Sequence, residues 1–472
     1  MNAVESLRYF IPELVLLGGA FAALTLDFFI KQKKCVGQFA LLVIVLALCL
    51  TQVPAKPLAL FSGMFYVDVF SHFFRVLALG AVGVTLLISR GYSPVKNRYE
   101  GEFYGLFLFM AFALILVAAA DNLLMIFLSI EFVSLLSYLL VGFLKKDPRS
   151  KEAAVKYLLF GSVCSGVMLY GMSLLYGATG SLELPVIGNA LLGVPFKPLA
   201  IAALLFFFTG LGFKISMAPF HMWAPDVYEG APTPVTAFLT VAPKAMGFAV
   251  LTRVLATVFG QFHAIWSPIL VILSILTMTI GNITAVSQTN IKRFLAYSSI
   301  AQAGYILMGL AVFSILGRGA VLIYLLAYLL TNLGAFTVVT IVGEETRSDS
   351  LDAYAGLSQR SPVTAAFFTA FLLSLAGIPP LAGFIGKYYV FAAAIEGKFI
   401  MLAIVAAVNS VIAVYYYFRI IRLMYLTPAS DPATGTAFSS PSGSLTAALW
   451  VMFLGVLALG IFPGFFITRI LG

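Results

Sequence analysis

Three lysines and one glutamate stand in surroundings that hold almost nothing else polar. Lys214 lies in LFFFTGLGFKISMAPF, Lys244 in FLTVAPKAMGFAV, Lys387 in LAGFIGKYYVF and Glu131 in LLMIFLSIEFVSLLSYLL. An ionisable side chain at the centre of a bilayer costs roughly 2.5–3.5 kcal/mol on insertion scales, so it persists where it faces a bundle interior, a partner or a water path. One such residue can be half of a static buried ion pair. Three lysines and one glutamate cannot all be, because one carboxylate neutralises one ammonium. Some of the lysines are then neutral part of the time. A group that can be charged or neutral is what a proton relay needs.

The chain is broken where these lysines fall. Pro219 and Pro225 follow Lys214, Pro243 directly precedes Lys244, and Gly377, Pro379 and Pro380 precede Lys387. Proline removes a backbone donor and opens the helical ladder. At membrane depth an opened backbone is tolerated where it is buried in protein or lines a wet cavity. Broken helices beside a charged group mark midplane ion sites in transporters, although any one proline is equally a packing kink. His221, in MAPFHMWAPDVYEGAPTPV, either extends a proton path or caps and packs. Lys156, close to the end of an apolar run, is a second candidate auxiliary. Asp121 is expected to face solvent or cap a helix. Arg75 and Asp68, seven residues apart, are expected to do no more than seal a helix interface.

The elements that must carry these residues follow from composition. The chain has 472 residues, 61% hydrophobic and only 10% charged, with a mean hydropathy of +1.04. Soluble domains carry about 25% charged residues, so the bilayer is the solvent for most of this chain. Apolar runs of about 20 residues are long enough to span. They fall near 11–30, 36–53, 67–89, 103–120, 122–144, 154–176, 198–220, 233–258, 265–287, 292–314, 319–343, 362–395, 399–426 and 444–468. The expectation is an all-α polytopic membrane protein, one transmembrane domain over 1–472, with about fourteen helices.

The loops support that alternation. One side collects Lys31, Lys33, Lys34, Arg90, Lys96, Arg98, Lys145, Lys146, Arg149, Lys151, Lys292, Arg293, Arg347, Arg360, Arg419 and Arg422. The other holds Arg8, Lys56, Lys197, Arg253, Arg318, Lys398 and Arg469. By the positive-inside rule the richer side is cytoplasmic, which leaves both termini outside the cytoplasm. One loop on the cytoplasmic side, Ala224 to Thr233, has no lysine or arginine and carries Asp226 and Glu229. The formal net charge of +9 is read as these basic loops rather than as a nucleic-acid surface, since no aromatic–basic patch lies outside the apolar runs.

A weak internal repeat is visible. Ser129-Ile130-Glu131 and Ser299-Ile300-Ala301 each precede comparable apolar stretches, and Lys151–Leu159 resembles Gly319–Leu326. The copies would cover about 103–258 and 265–426. A five-helix unit is odd in number, so the two copies would be inverted in the membrane. Lys387 is then the counterpart of Lys214, and Ala301 that of Glu131.

Other chemistry finds no footing. Cys35, Cys49 and Cys164 have no C-x-x-C spacing, and the three histidines show no metal-binding pattern. No glycine-rich phosphate loop opens a βαβ unit. The chain is therefore expected to bind no cofactor and no metal of its own. The N-terminus, with Glu5 where a basic region would stand, is expected to be a first anchor rather than a cleaved signal.

Three stretches resemble a known family. K-I-S-M-A-P-F-H-M-W-A-P-D-V-Y-E-G-A-P-T-P-V from Lys214 to Val235, N-I-K-R-F-L-A-Y-S-S-I-A-Q-A-G-Y from Asn290 to Tyr305 and L-A-G-I-P-P-L-A-G-F-I-G-K from Leu375 to Lys387 resemble the signatures of the antiporter-like membrane subunits of complex I and of multisubunit cation/proton antiporters. The resemblance covers essentially the whole chain. Lys387 stands where the M-type subunit carries glutamate, and no long extra helix follows the last span as in the L-type. The chain looks most like the N-type branch from bacterial NADH–quinone oxidoreductase, and a chloroplast subunit is similarly close. The resemblance implies that Glu131 pairs with Lys214 and modulates its proton affinity, that Lys244 relays along the membrane, and that Lys387 connects to the outer side. It implies other membrane and peripheral complex I subunits as partners, no nucleic acid, and a bacterial inner-membrane location. It also implies that NADH, FMN, iron–sulfur clusters and quinone are handled in other subunits. A cation/proton antiporter subunit has the same buried lysines, and a structural subunit or a transporter of an organic solute also remains open.

Overall fold

The structure is a computed structural model. It describes residues 3–30, 32–54, 56–96, 99–193, 197–428 and 438–471. Of the loop cations named above, Lys31 and Arg98 lie outside the described residues.

Twelve helices among the described residues are long and apolar enough to cross a membrane. They coincide with twelve of the fourteen expected spans. Of the other two, 36–53 is the 17-residue helix Lys34–Leu50. The stretch 362–395 is a pair of 15-residue helices, Pro362–Ala376 and Ala382–Glu396. The chain is a multi-pass membrane protein. Helices that are apolar on all sides can be buried on all sides. Ile291–Val312 and Ile315–Thr346 are about nine-tenths buried, whereas Ile11–Phe29 and Gly443–Ile461 bury only a third of their length and leave the rest apolar and outward.

The chain divides into two compact units. The first comprises 1–86, 95–216 and 242–266, and the second comprises 87–94, 217–241 and 267–472. In the first, the 32-residue helix Pro148–Thr179 packs along Lys197–Ile215, and Ile11–Phe29 packs on Glu100–Ala119 and Lys34–Leu50. Ala242–Thr257 lies against both Lys197–Ile215 and Glu100–Ala119. In the second, Ile315–Thr346 is the central post. It packs on Thr233–Leu239, Ile291–Val312, Pro362–Ala376, Ala382–Glu396 and Gly443–Ile461.

Helix starts follow local chemistry. Asn122, Asp147, Asn290 and Ser314 accept backbone N–H groups of the first turn, the role short polar side chains fill at N-termini. Asn122, rather than Asp121, is thus the cap at the start of the Glu131 helix.

The all-α expectation holds, and the described residues add one small hairpin to it. Leu58–Leu60 and Phe65–Val67 pair as an antiparallel hairpin, with Leu58 opposite Val67 and Leu60 opposite Phe65. Its turn runs through Phe61, Ser62 and Gly63 at positive φ. Leu60, Phe65 and Val67 bury themselves on Leu116 and Ala119.

The helices break where the lysines sit. Lys197–Ile215 ends one residue after Lys214, and Trp223–Gly230 begins after a turn. Thr233–Leu239 stops before Ala242–Thr257, which places Lys244 in the first turn of the second piece. Gly377, at φ +90°, ends Pro362–Ala376 before Ala382–Glu396 resumes.

Candidate functional site

Lys214, Lys244 and Lys387 are all buried, with relative exposures between 3 and 6%. Two of them sit in centres that can be built residue by residue.

The first centre joins Leu123–Val141, Pro148–Thr179, Lys197–Ile215 and Ala242–Thr257. The Lys214 ammonium donates to Ser134 Oγ at 2.5 Å. Ser134 in turn donates to the Ile130 carbonyl at 2.8 Å, which leaves its lone pairs turned toward the lysine. Ser165 Oγ donates to Glu131 Oε1 at 2.5 Å. Glu131 is half-buried and close enough for its charge to act on Lys214. The two do not meet. Each rests on its own serine hydroxyl, so the expected pairing is a coupling through space rather than a contact ion pair. A small cavity of about 10 Å³ lies beside Lys214, walled by Val117, Ile130, Val133 and, from the Lys244 helix, Pro243, Met246 and Gly247.

The second centre surrounds Lys387. Its ammonium donates at 2.8 Å to the carbonyl of Ala376, the last residue of the preceding half-helix. It also lies 4.9 Å from the centre of the Tyr305 ring. A cation at the carbonyl end of a helix meets the negative end of its dipole, and an aromatic face adds to the attraction. Gly377 makes this approach possible, since a methyl there would lie 2.7 Å from Lys387 Cδ. Behind Tyr305 runs a buried polar network. Tyr324 donates to Gln302 Oε1 at 2.5 Å, and Gln302 Nε2 donates to the Leu375 carbonyl at 3.1 Å. Asn282 donates to Tyr305 Oη and to Asn409 Oδ1, each at 3.2 Å. A cavity of about 410 Å³ opens beside Lys387, lined mainly by apolar side chains with Ser410 among them.

The other expected residues fall elsewhere. Lys156 is partly exposed and bridges to Glu152 one turn earlier at 2.9 Å, so it is no member of the buried cluster. His221 lies in the turn before Trp223–Gly230, and its carbonyl accepts the Ala224 N–H. Arg75 does not seal against Asp68. It bridges to Glu13 at 2.5 Å with both side chains at or below 2% exposure. Asp68 instead meets Arg253 at 3.2 Å, and Asp121 meets the same arginine at 3.6 Å. Burial pushes the Asp121 carboxyl up to about 6, with Asp68 and Glu183 adding to the rise and Arg253 opposing it. The acidic loop that lacks a basic residue is neutralised in space. Arg293 holds Asp226 at 2.7 Å and Glu229 at 2.9 Å, and Lys292 donates to the Ala231 carbonyl. Among the described residues, no group of three or more His, Cys, Asp or Glu side chains could hold a metal ion.

Ser134, Ser165, Gln302 and the tyrosines were not singled out from sequence. A signal was available for some. Ser298, Gln302 and Tyr305 recur at helical spacing within the second signature, a polar stripe on an otherwise apolar helix.

The profile of a family described as "NADH:quinone oxidoreductase/Mrp antiporter, TM" matches residues 120–413, more than half of the chain. The chain belongs to this family. The matched segment of this NADH:quinone oxidoreductase/Mrp antiporter family contains Glu131, Lys214, Lys244 and Lys387. A curated relative, NADH-quinone oxidoreductase subunit N 1 of Solibacter usitatus, is 41% identical over 98% of this chain and 96% of its own. A chain of respiratory complex I from Thermus thermophilus superposes with a TM-score of 0.82 at 35% identity, covering 97% of this chain and 98% of that one. A chain of the Mrp complex from Dietzia sp. superposes with a TM-score of 0.85 at 21% identity over 98% of this chain and 96% of that one, a likeness of fold alone.

Proposed function

We propose that this chain is the N-type membrane subunit of a respiratory NADH–quinone oxidoreductase. It moves protons through Glu131, Lys214, Lys244 and Lys387 in response to quinone reduction in other subunits. The observation that carries the reading is the Lys214 centre. A half-buried carboxyl group lies within electrostatic reach of the buried ammonium, yet each is seated on a neutral hydroxyl. A contact ion pair would lock both charges in place. A separated pair lets a small displacement of Glu131 change how firmly Lys214 holds its proton. The 41% identical relative named NADH-quinone oxidoreductase subunit N supports the assignment of complex.

In this reading the partners are the other membrane and peripheral subunits of the complex. NADH, FMN, iron–sulfur clusters and quinone belong to those subunits. The chain sits in the bacterial inner membrane, and the excess of basic loops on one side supports both termini lying outside the cytoplasm.

The test is NADH-driven proton pumping in membrane vesicles carrying Lys214→Ala, with assembly of the complex followed in parallel. Assembled complex is expected to pump at about a hundredth of the parental rate, the scale on which a proton-transfer group acts. Assembled complex with pumping intact would reduce Lys214 to a structural residue and sink the relay. Sodium or potassium exchange without NADH would instead favour the antiporter reading.

A further inference from the structure

We propose that Arg253 is a positioning residue for the relay: its guanidinium clamps the outer end of the Lys244 helix to the start of the Glu131 helix, and a proton bound by Asp121 from the outer side loosens the clamp. This rests on the relay and the orientation proposed above. Arg253 and Lys244 share Ala242–Thr257, nine residues apart, so a hold on the arginine is a hold on the rod that carries the lysine. Arg253 Nη2 reaches Asp68 Oδ1 at 3.2 Å, and Nη1 reaches Asp121 Oδ1 at 3.6 Å. The guanidinium also lies 5.2 Å from the centre of the Phe70 ring and 5.9 Å from that of Tyr66, aromatic faces that attract a cation. A planar fork can hold two carboxylates at once in a geometry that an ammonium does not reproduce.

The two arms differ in kind. Asp68 stands at the start of Val69–Arg90. Its Oδ1 accepts the Ser71 N–H at 2.7 Å, and Ser71 Oγ accepts the Asp68 N–H at 2.9 Å. That reciprocal cap fixes the carboxylate to its own helix. Asp121 directly precedes Asn122, the cap of the Glu131 helix. Its backbone is pinned on both sides, the N–H donating to the Met64 carbonyl at 3.2 Å and the carbonyl accepting the Leu184 N–H at 3.3 Å. Its carboxyl group is the adjustable arm. Burial raises it to about 6, with Arg253 opposing the rise and Asp68 and Glu183 adding to it. As a carboxylate it attracts Arg253, and as the neutral acid it does not. The outer side acidifies as the pump delivers protons there, so the clamp loosens as the product accumulates and the relay slows.

The experiment uses the complete complex in proteoliposomes, with NADH supplied outside and the lumenal pH set in advance. At lumenal pH 7.5, Asp121→Asn is expected to pump at about a third of the parental rate, the scale of one partly exposed ion pair. At lumenal pH 5 the two are expected to pump alike, because the parent has then lost most of the same charge. The melting temperature of the variant at pH 7.5 is expected to rise rather than fall, since it no longer buries a charge. A residue that only packs would lose pumping and stability together. Arg253→Lys keeps the charge and loses the fork, and its pumping is expected to be as low as that of Asp121→Asn and as insensitive to lumenal pH. A ratio of Asp121→Asn to parent that does not change with lumenal pH, or a loss of pumping that the melting temperature follows, would overturn the clamp. Should Arg253→Lys not assemble, Asp121→Asn decides alone. Normal pumping in Lys214→Ala would instead remove the relay itself, a failure read in a different variant from that of the clamp.

Discussion

Lys214 and Lys387 are both buried ammonium groups at helix breaks, and their seats are built on different principles. Lys214 rests on a serine within electrostatic reach of a carboxylate, beside a cavity barely large enough for one water. Lys387 rests on a helix-terminal carbonyl and an aromatic face beside a cavity some forty times larger, with no carboxylate within ion-pair distance among the described residues. The first seat can be tuned, because a neighbouring charge can move or change protonation. The second is held by neutral dipoles that stay in place whatever the protonation state nearby. A relay that contains both has its adjustable element at Lys214 and a fixed station at Lys387.

The largest expected effect tests the fixed seat. Gly377→Ala places a side chain at φ +90° and 2.7 Å from Lys387 Cδ. The backbone alone costs about 1–3 kcal/mol, and the contact adds to it. Loss of assembled complex on native gels is expected. The break after Lys214 uses Ser216 at φ +57°, where Ser216→Gly should be neutral or slightly stabilising. Equal tolerance at both positions would erase the difference between the breaks.

Next comes the network behind Lys387. Gln302→Leu leaves the Tyr324 hydroxyl and the Leu375 carbonyl without the partners they have now. A buried group left unpaired costs about 1–3 kcal/mol. The melting temperature of the purified complex is expected to fall by several degrees. An unchanged melting temperature would mean that the network does not hold the Lys387 seat.

Glu131→Gln probes the adjustable seat. The amide keeps the shape and can still accept from Ser165, but it no longer acts on Lys214 as a charge. Pumping is expected to fall by about tenfold, a change of roughly 1.4 kcal/mol, with an altered pH dependence and little change in melting temperature. A large loss of stability with pumping preserved would make Glu131 a packing residue.

How much of this was legible beforehand depends on the range of the interaction. The spans were readable because hydropathy over about 20 residues is a property of one segment. The breaks were readable because proline acts on its own backbone. The hairpin was overlooked although Ser62-Gly63 sits between two apolar runs, a usual turn signal. That Lys156 is partly exposed and bridged to Glu152 is not readable from a hydropathy window, which cannot tell an inward face from an outward one. The serines on Glu131 and Lys214 were not readable at all. Ser165 is 34 residues from Glu131 and Ser134 is 80 from Lys214, and one sequence does not say which helix faces meet.

The smallest effect compares two arginines that each hold two carboxylates. Arg253 with Asp68 and Asp121 is the more buried set, with side-chain exposures of 9, 21 and 13%. Arg293 with Asp226 and Glu229 is shorter in distance but more open, at 29, 37 and 31%. Depth outweighs distance here, because water screens the open pair. The Asp121 carboxyl is raised to about 6, against about 3.9 in an unfolded chain. Between those values the folded protein holds a proton that the unfolded chain has released. Stability therefore falls as pH rises from about 4 to about 6, and stays low above that. Asp121→Asn cannot titrate, so its melting temperature relative to the parent should rise between pH 5 and pH 7.5. The gain is about 1 kcal/mol once solvent screening is allowed for. Asp226→Asn should instead lose about 0.5 kcal/mol at pH 7.5, since Arg293 keeps Glu229. A parallel response of the two variants would show that burial does not separate the clusters, and that Asp121 is held by Arg253 as an ordinary exposed pair would be.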